Sequence, residues 1–472
     1  MEEKGLIGLR FITIDELKSI QEGRILTWDG EKPVKYVIKR PEEIGAYCLY
    51  FCAEDENENA LLMKMASSNA SGAVVKRPCF LDVNRWKQAG IGIIETSNTV
   101  MFQIALARLY RKKFDIPVIQ VIGSAGKTTT KDMIGAVLRA GMPVLVGYKN
   151  YNTAFGAAYN LLNVRDRHKA VVIEAGMKSK GYMGFSSGII KPTVAVLTSI
   201  QRAHYVLLGS IENIIEAKAE ILDHMDQNGV FIVNGEDENC ARFPLERFQG
   251  RVVRYGFSDK FDIRASDIEY KDFKSRFKVL HSQGETECVV RTVGKYNVLN
   301  ALAAFAVGLE LGLQPNVIRR GLAAFQPMAG RLKTLPGPND TVIIDDNFNA
   351  NPDSTRLLLE DIPKFAGDRP VVLIMGDVER PDDGIADYAR EVHFAIGQQA
   401  AKVIFDRLIA VGKWAKEYIA GAESEGAPPE KMKHFDTVEQ AADYFKESIQ
   451  PGSVLIFKAS VYVRVRDLLK YL

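Results

Sequence analysis

Short apolar runs and longer amphipathic stretches alternate along most of this chain. Runs at residues 116–122, 170–173, 194–200 and 230–233 are mostly apolar, the pattern of strands buried on both faces. Between them the period changes. Met133, Ile134, Val137 and Leu138 recur at the three- and four-residue spacing that gives a helix one apolar stripe. Residues 211–225 and 297–311 read as further helices. Such alternation predicts a parallel sheet covered by helices. Between about 252 and 292 the pattern becomes strand-rich, with Phe277 and Val279, then Cys288 and Val290, in alternation. An antiparallel patch within or beside the same domain is expected there.

A second α/β series follows Gly330, with strands predicted at 341–344, 370–375, 402–404, 408–411 and 453–457. Before residue 110, strand-like pieces at 36–38, 47–51, 72–75 and 92–95 precede a helical segment at 99–110. The expected fold is therefore α/β in three domains: a small N-terminal α/β domain (1–110), a central parallel-sheet domain (111–329) and a C-terminal Rossmann-like domain (330–472).

Size agrees, since 472 residues at about 150 per domain give about three. Lys and Arg number 61 against 59 Asp and Glu, a net charge of +2, so charge gives no case for nucleic acid or an anionic membrane as the main partner. Acids and bases interrupt the first residues (Glu2, Glu3, Lys4, Arg10), unlike a secretory signal, and no apolar stretch reaches the length of a membrane span. A cytoplasmic protein is expected, with a monomer as the default. The five cysteines are scattered without paired metal spacing, which favours reduced thiols over a zinc site.

The strongest chemical signal is Gly123-Ser124-Ala125-Gly126-Lys127-Thr128-Thr129-Thr130, placed between an apolar strand and a helix. Small residues let backbone N–H groups close around phosphate oxygens, and the helix N-terminus adds positive partial charge. Lys127 reaches the terminal phosphates, and the Thr128 hydroxyl is placed to ligate Mg2+. Gly123 lies two residues late for the general phosphate-loop pattern, whose first glycine would fall at Val121. The flanking strand and helix still favour a nucleotide over a plain turn.

Other polar clusters fall where parallel strands should end: Asn152-Thr153, Glu174-Ala175-Gly176 and Ala203-His204. Carboxyl ends of strands share one side of such a sheet, so these can converge on one nucleotide. Then follow Glu216-Ala217-Lys218-Ala219-Glu220, Asn234-Gly235-Glu236-Asp237, Gly294 to Ala301, Gly330-Arg331 and Asp345-Asp346-Asn347-Phe348-Asn349-Ala350-Asn351-Pro352, with Met375-Gly376-Asp377 and His393 beyond. In this order the segments resemble the Mur ligases, ATP-dependent amide-forming enzymes of cell-wall precursor assembly, over about residues 116–415. Within that family the Asp345 to Pro352 run is most similar to the branch that joins D-alanyl-D-alanine to a UDP-muramoyl tripeptide.

The resemblance implies a nucleotide-sugar domain, an ATPase domain and a C-terminal domain that closes over the site. It implies ATP and two Mg2+ ions as cofactors, and as substrates a carboxylate, such as a UDP-muramoyl peptide, and an amino acid or dipeptide amine. Gly123, Ser124, Ala125, Gly126, Lys127, Thr128 and Thr129 would hold the phosphates, Asn297 and Asn300 the adenine region, Arg331 the terminal phosphate and Asp346 the ribose. Thr128, Glu174 and His204 would bind metal, with Lys218 carbamylated to support the second ion. Asn152, Thr153, Asn349 and Asn351 would meet substrate.

Each residue also has a plainer reading. Lys218, flanked by Glu216 and Glu220, fits a solvated helix lysine. His204 can cap a turn, Glu174 can cap a helix, Arg331 can sit on the surface, and Asp345, Asp346 and the asparagines can build turns. The chain also departs from the family pattern. Ile38-Lys39-Arg40 and Glu56-Asn57-Glu58-Asn59 stand in place of nucleotide-sugar motifs, and Lys458-Ala459-Ser460-Val461 replaces K-G-S-R. Valine cannot supply the bidentate carboxylate contact of arginine. Two further readings thus stay open: a paralogue joining another carboxylate and amine, and a non-catalytic ATP-binding scaffold.

Overall fold

In the computed structural model, residues 11–30, 32–201, 208–378 and 386–472 are described. Among them three sheets follow one another along the chain. The first contains β1 (Gly23–Thr27), β2 (Tyr36–Ile38), β3 (Cys48–Phe51), β4 (Gly72–Lys76) and β5 (Gly92–Thr96), ordered β1-β5-β4-β3-β2, with β1 alone antiparallel to its neighbour.

The second sheet holds β6 (Val118–Ile122), β7 (Val144–Val146), β8 (Ala170–Glu174), β9 (Val194–Leu197), β10 (Val230–Asn234), β11 (Arg251–Gly256), β12 (Ile263–Lys271), β13 (Lys274–His281) and β14 (Gly284–Val290). Their order is β14-β13-β12-β11-β10-β9-β6-β8-β7, parallel from β7 to β12 and antiparallel through β13 and β14. From β6 the chain first builds outward through β8 and β7, then crosses to β9 on the other side. This switch of direction opens a crevice at the carboxyl ends of β6 and β9, where open parallel sheets bind ligands.

The third sheet holds β15 (Lys333–Pro336), β16 (Val342–Asp346), β17 (Val371–Gly376), β18 (Arg407–Val411), β19 (Met432–Phe435) and β20 (Val454–Lys458), ordered β15-β16-β20-β17-β18-β19. Only β15 runs antiparallel to its neighbour.

All five residues of β6 and all five of β8 are buried, as continuous apolar runs require. The helix Lys127–Arg139 buries Met133, Ile134, Val137 and Leu138, packed with the helices Lys295–Glu310 and Pro315–Ala324. The closest approach is at Gly321, where a Cβ would lie 2.4 Å from the Val137 Cα. The helix Thr99–Arg111 serves two sheets. Phe102 near its start packs on Phe51 and fills the space beside Gly23 of the first sheet. Near its end Tyr110 Oη donates to Val164 O, and Arg111 donates to Ile190 O and Lys191 O, each at 2.9 Å.

Several sequence expectations need correction. No strand forms at 402–404. Those residues turn out of the helix Ala386–Ala400, and Ile404 is 90% exposed. The helix expected over 211–225 stops at Ala219 and tightens into a 3₁₀ turn, Glu220–Asp223. There Glu220 accepts hydrogen bonds from the backbone of Gly181 and Gly184. β9 ends at Leu197 rather than 200 because Thr198 and Ser199 leave the ladder to hold the neighbouring loop. The short strands β1, β7, β15 and β19 carry too few apolar residues to register as runs. No helix among the described residues is long and apolar enough to cross a membrane.

Gly321→Ala is expected to destabilise the protein by about 1–3 kcal/mol through overpacking against backbone that cannot retreat. Chemical denaturation of the variant beside wild type measures this, and an unchanged midpoint would contradict the close helix contact.

Candidate active site

The loop after β6 has a shape that only its glycines allow. Gly123 has φ +144°, and a Cβ there would lie 2.0 Å from Thr198 Oγ1; Gly126 has φ +80°, with Asn300 Oδ1 at 2.7 Å from its Cβ position. The C-terminal end of β9 braces the turn. Ser124 N–H donates to Ser199 O at 2.8 Å, Ala125 N–H to Ser199 Oγ at 3.0 Å, and Thr198 Oγ1 to Ala125 O at 2.5 Å. From the other side Thr130 Oγ1 donates to Asn300 Oδ1 at 3.0 Å. Lys127 folds back over the loop and donates to Gly123 O and Ser124 O at 2.7 and 3.1 Å. Burial lowers its pKa to about 8, nearby Glu174 favours its charge, and Arg331 opposes it.

Above this loop lies a cleft of about 840 Å³. One wall comes from the second sheet: Ser124 to Thr129, Asn150 and Asn152, Thr198 to Gln201, Asn234 and Glu236 to Asn239. Lys295, Tyr296, Asn297 and Asn300 come from the helix that packs on the loop helix. The opposite wall comes from the chain around the third sheet, with Arg331, Asp346, Asn349, Asn351 and Lys458. Arg331 thus faces Lys127 and lies within electrostatic range of Glu174 and Asp346.

The backbone that carries Arg331 is unusual. Gly330 has φ +75° and Leu332 φ +49°, a left-handed conformation that costs a non-glycine residue about 1–2 kcal/mol. Two consecutive carboxylates at the end of β16 hold it. Gly330 N–H donates to Asp345 Oδ2 at 2.9 Å and Leu332 N–H to Asp346 Oδ1 at 3.2 Å. The Leu332 side chain is buried in the third core, and the Arg331 guanidinium lies 4.5 Å over the Phe348 ring.

Near the loop two buried groups remain to be explained. Glu174 ends β8 at 2% exposure, and neither carboxylate oxygen has a hydrogen-bond partner among the described residues. A buried anion left this way calls for a cation. Lys218 is also 2% exposed. Its burial and the nearby charge of Lys127 lower its pKa to about 7, while Cys240 and Asp237 act the other way. The reading of Lys218 as a solvated helix lysine therefore fails. Its flanking acids are engaged elsewhere, Glu216 with Arg247 at 3.9 Å and Glu220 with the backbone at Gly181 and Gly184. Asp237 accepts from the N–H groups of Ile200, Asn239 and Cys240, and burial raises its pKa.

Of the residues singled out from sequence, Ser124 to Thr129, Asn152, Asn297, Asn300, Arg331, Asp346, Asn349 and Asn351 line one cleft. His204 lies outside the described residues. Thr153 is a helix cap, accepting from Gly156 N–H at 3.1 Å, and it does not line the cleft. Asn297 donates to Thr292 Oγ1 and Val293 O and accepts from Asn300, so it spends its capacity at the start of its own helix, while Asn300 joins that helix to the loop helix through Thr130. Asp346 is paired with buried Lys458 at 2.6 Å. His393 is a neutral core residue. Its Nε2 accepts from Val378 N–H, its Nδ1 donates to Ala389 O, and burial lowers its pKa to about 4.

Two contributors were given no role from sequence. Lys458, noted only as the first residue of the altered K-G-S-R run, ends an apolar strand and pairs with Asp346. Buried Lys131, one helical turn after Lys127, donates to the carbonyls of Gly147 and Lys149 and so fixes the loop bearing Asn150 and Asn152. No group of three His, Cys, Asp or Glu side chains able to hold a metal occurs among the described residues.

Comparison with known proteins adds to this geometry. Residues 121–308 match the model of the Mur ligase middle domain, and residues 330–461 that of the Mur ligase glutamate ligase domain. The UDP-N-acetylmuramoyl-tripeptide–D-alanyl-D-alanine ligase of Bacillus subtilis is 28% identical over 380 residues, 80% of each chain. The crystal structure of MurF from Acinetobacter baumannii matches with a TM-score of 0.81 at 27% identity, covering 98% of this chain and 99% of that one. The MurF ligase of Thermotoga maritima in complex with ADP shares the fold, with a TM-score of 0.75 at 21% identity over 92% and 96% of the two chains.

Buried Lys218 yields a pH prediction with a definite sign. Its pKa is about 7 in the folded chain against an ordinary 10.5, so between those values the unfolded chain binds a proton that the folded chain does not. Stability from this site therefore rises with pH across that window, and the cost of burying the ammonium is fully present below pH 7. Lys218→Met should be more stable than wild type at pH 6, with the difference shrinking towards pH 10. Parallel denaturation curves across that range would show that the lysine carries no such penalty.

Proposed function

Since the chain belongs to the Mur ligase family, we propose that it is an ATP-dependent ligase joining the carboxylate of a UDP-muramoyl tripeptide to the amine of D-alanyl-D-alanine. The observation that carries this reading is the cleft itself. A phosphate loop with Lys127 on one wall faces Arg331 on the other, and the partnerless carboxylate of Glu174 lies within electrostatic range of both. Nucleotide binding alone needs the loop. It does not need a second cation reaching in from the third sheet.

The chemistry explains why both walls are required. A carboxylate is a poor electrophile, so one of its oxygens attacks the γ-phosphorus of ATP, the bond to ADP breaks, and an acyl phosphate forms. The amine nitrogen then attacks the acyl carbon and phosphate leaves. Two anions must meet in the first step, and fixed positive charge offsets their repulsion. Loop N–H groups and Lys127 hold the β- and γ-phosphates, and Arg331 meets the phosphoryl group in transfer. Asn297 and Asn300 act in this reading by fixing the loop helix, and Asp346 with Lys458 forms the nucleotide's far wall.

The residues present fit a divalent cation, because Glu174 is a hard oxygen ligand with both oxygens unspent. Thr128 and Glu174 would hold one Mg2+, and Lys218 with His204 a second, the metals supplying charge that neutralises the phosphates and polarises the carboxylate. Lys218 suits this role as its carbamate. An amine with a pKa of about 7 is about half unprotonated at neutral pH, the form that adds to CO2 with loss of a proton.

A second reading rests on Val461, 49% exposed on the loop after β20. With no guanidinium there, the chain would run the same acyl-phosphate chemistry on another amine.

Incubation with Mg-ATP, UDP-muramoyl tripeptide and D-alanyl-D-alanine should yield the pentapeptide product by mass spectrometry with matching phosphate release, and Lys127→Ala should abolish both. ATP binding without product would move the reading to another carboxylate and amine. Lys218→Ala should lose turnover and regain part of it with added short carboxylic acids, whereas full activity without them would remove the carbamate from the mechanism.

A further inference from the structure

Arg331 can serve the transferred phosphate only if the strained backbone on either side of it stays in place. Asp345 is the more deeply placed of the two carboxylates that hold it, at 0% exposure. Its Oδ2 accepts from Gly330 N–H at 2.9 Å and lies 3.4 Å from Arg466 Nε, while its Oδ1 has no hydrogen-bond partner among the described residues. Gly330 in turn accepts from Phe348 N–H at 3.1 Å, and Phe348 carries the ring under the Arg331 guanidinium. A side chain at position 330 would strike Phe348, whose backbone N lies 2.9 Å from the Cβ position. Gly330, Phe348 and Asp345 therefore form one unit, and Arg331 extends from it.

Asp345 does not line the cleft, and neither does Arg466. Arg466 comes from the seven-residue 3₁₀ segment Val465–Tyr471 and its side chain is 46% exposed. We propose that Asp345 and Arg466 are positioning residues for Arg331, a relay through which the C-terminal segment fixes the cation that faces the phosphate loop. The groups facing Asp345 are Arg466 and Lys333, which favour its charge, and Asp346, which opposes it and is itself paired with Lys458. Burial already disfavours the carboxylate. Without Arg466, a buried anion keeps one backbone N–H, the weaker influence of Lys333 and a like-charged neighbour, and its hold on Gly330 loosens.

The inference rests on the ligase reading for its catalytic consequence but not for its structural one, so two measurements are paired. Hydrogen exchange across residues 328–332 should quicken in Arg466→Met and return towards wild type in Arg466→Lys. Unchanged exchange overturns the relay whatever the turnover. In the ligase assay, Arg466→Met should lower kcat by roughly ten- to a hundredfold, the scale of a displaced catalytic group, with little change in the KM for ATP. In an Arg331→Ala background the same substitution should cost less than about twofold, because residues acting through one group are not additive. An equal loss in both backgrounds would assign Arg466 a merely structural part. Absence of wild-type turnover would count against the ligase reading, while the exchange result still decides the relay.

Discussion

The cleft depends first on the chain turning from β6 into the next helix within four residues. That turn uses two positive-φ glycines whose missing side chains leave room for Thr198 and Asn300. Each of those residues belongs to a different neighbour, one to the end of β9 and one to the helix Lys295–Glu310. The loop is therefore held from both flanks before any phosphate arrives. Preorganised donors of this kind need not reorganise when charge develops, which is where most electrostatic catalysis comes from. β9 loses three expected residues of strand for the same reason, since its last polar groups are worth more as braces than as ladder.

Around that turn the protein places charges where water is scarce. Lys127 lies within electrostatic range of Glu174 and Arg331 on one hand and of Lys218 on the other, and burial pushes each lysine towards its neutral form. Such an arrangement is costly in a protein that only needs to fold, and groups with strongly perturbed pKa values in a cleft mark functional sites. The partnerless oxygens of Glu174 are a separate sign of that cost. A folding role would have supplied that buried carboxylate with hydrogen bonds, as it did for Glu95 with Cys79 and Arg77.

Much of this was legible in the residues because the information was local. The runs that became β6 and β8 were fully buried, and the loop glycines announced their own backbone. What could not be read was set by distant partners. Ile404 looked like strand but ends on the surface, because no sheet neighbour exists at that point. Lys218 looked solvated because its flanking glutamates are near in sequence, yet Arg247 and the Gly181 turn claim them in space. Thr153 sat beside a cleft asparagine but spends its hydroxyl on Gly156. Lys458 was noted as part of the altered K-G-S-R run but its pairing could not be read, because its partner lies 112 residues earlier.

The helix Thr99–Arg111 has a consequence for how this chain can be divided. Its first half completes the core under β1 and β3, and its second half is bolted to the C-terminal ends of the helices Ala154–Leu162 and Tyr182–Ile190. Residues from both sides belong to one continuous apolar cluster, from Ile12 to Phe248. A cut near residue 110 would therefore leave each fragment with a raw hydrophobic flank, and neither would be a self-contained module. This one helix thus ties the first two sheets through a shared apolar core.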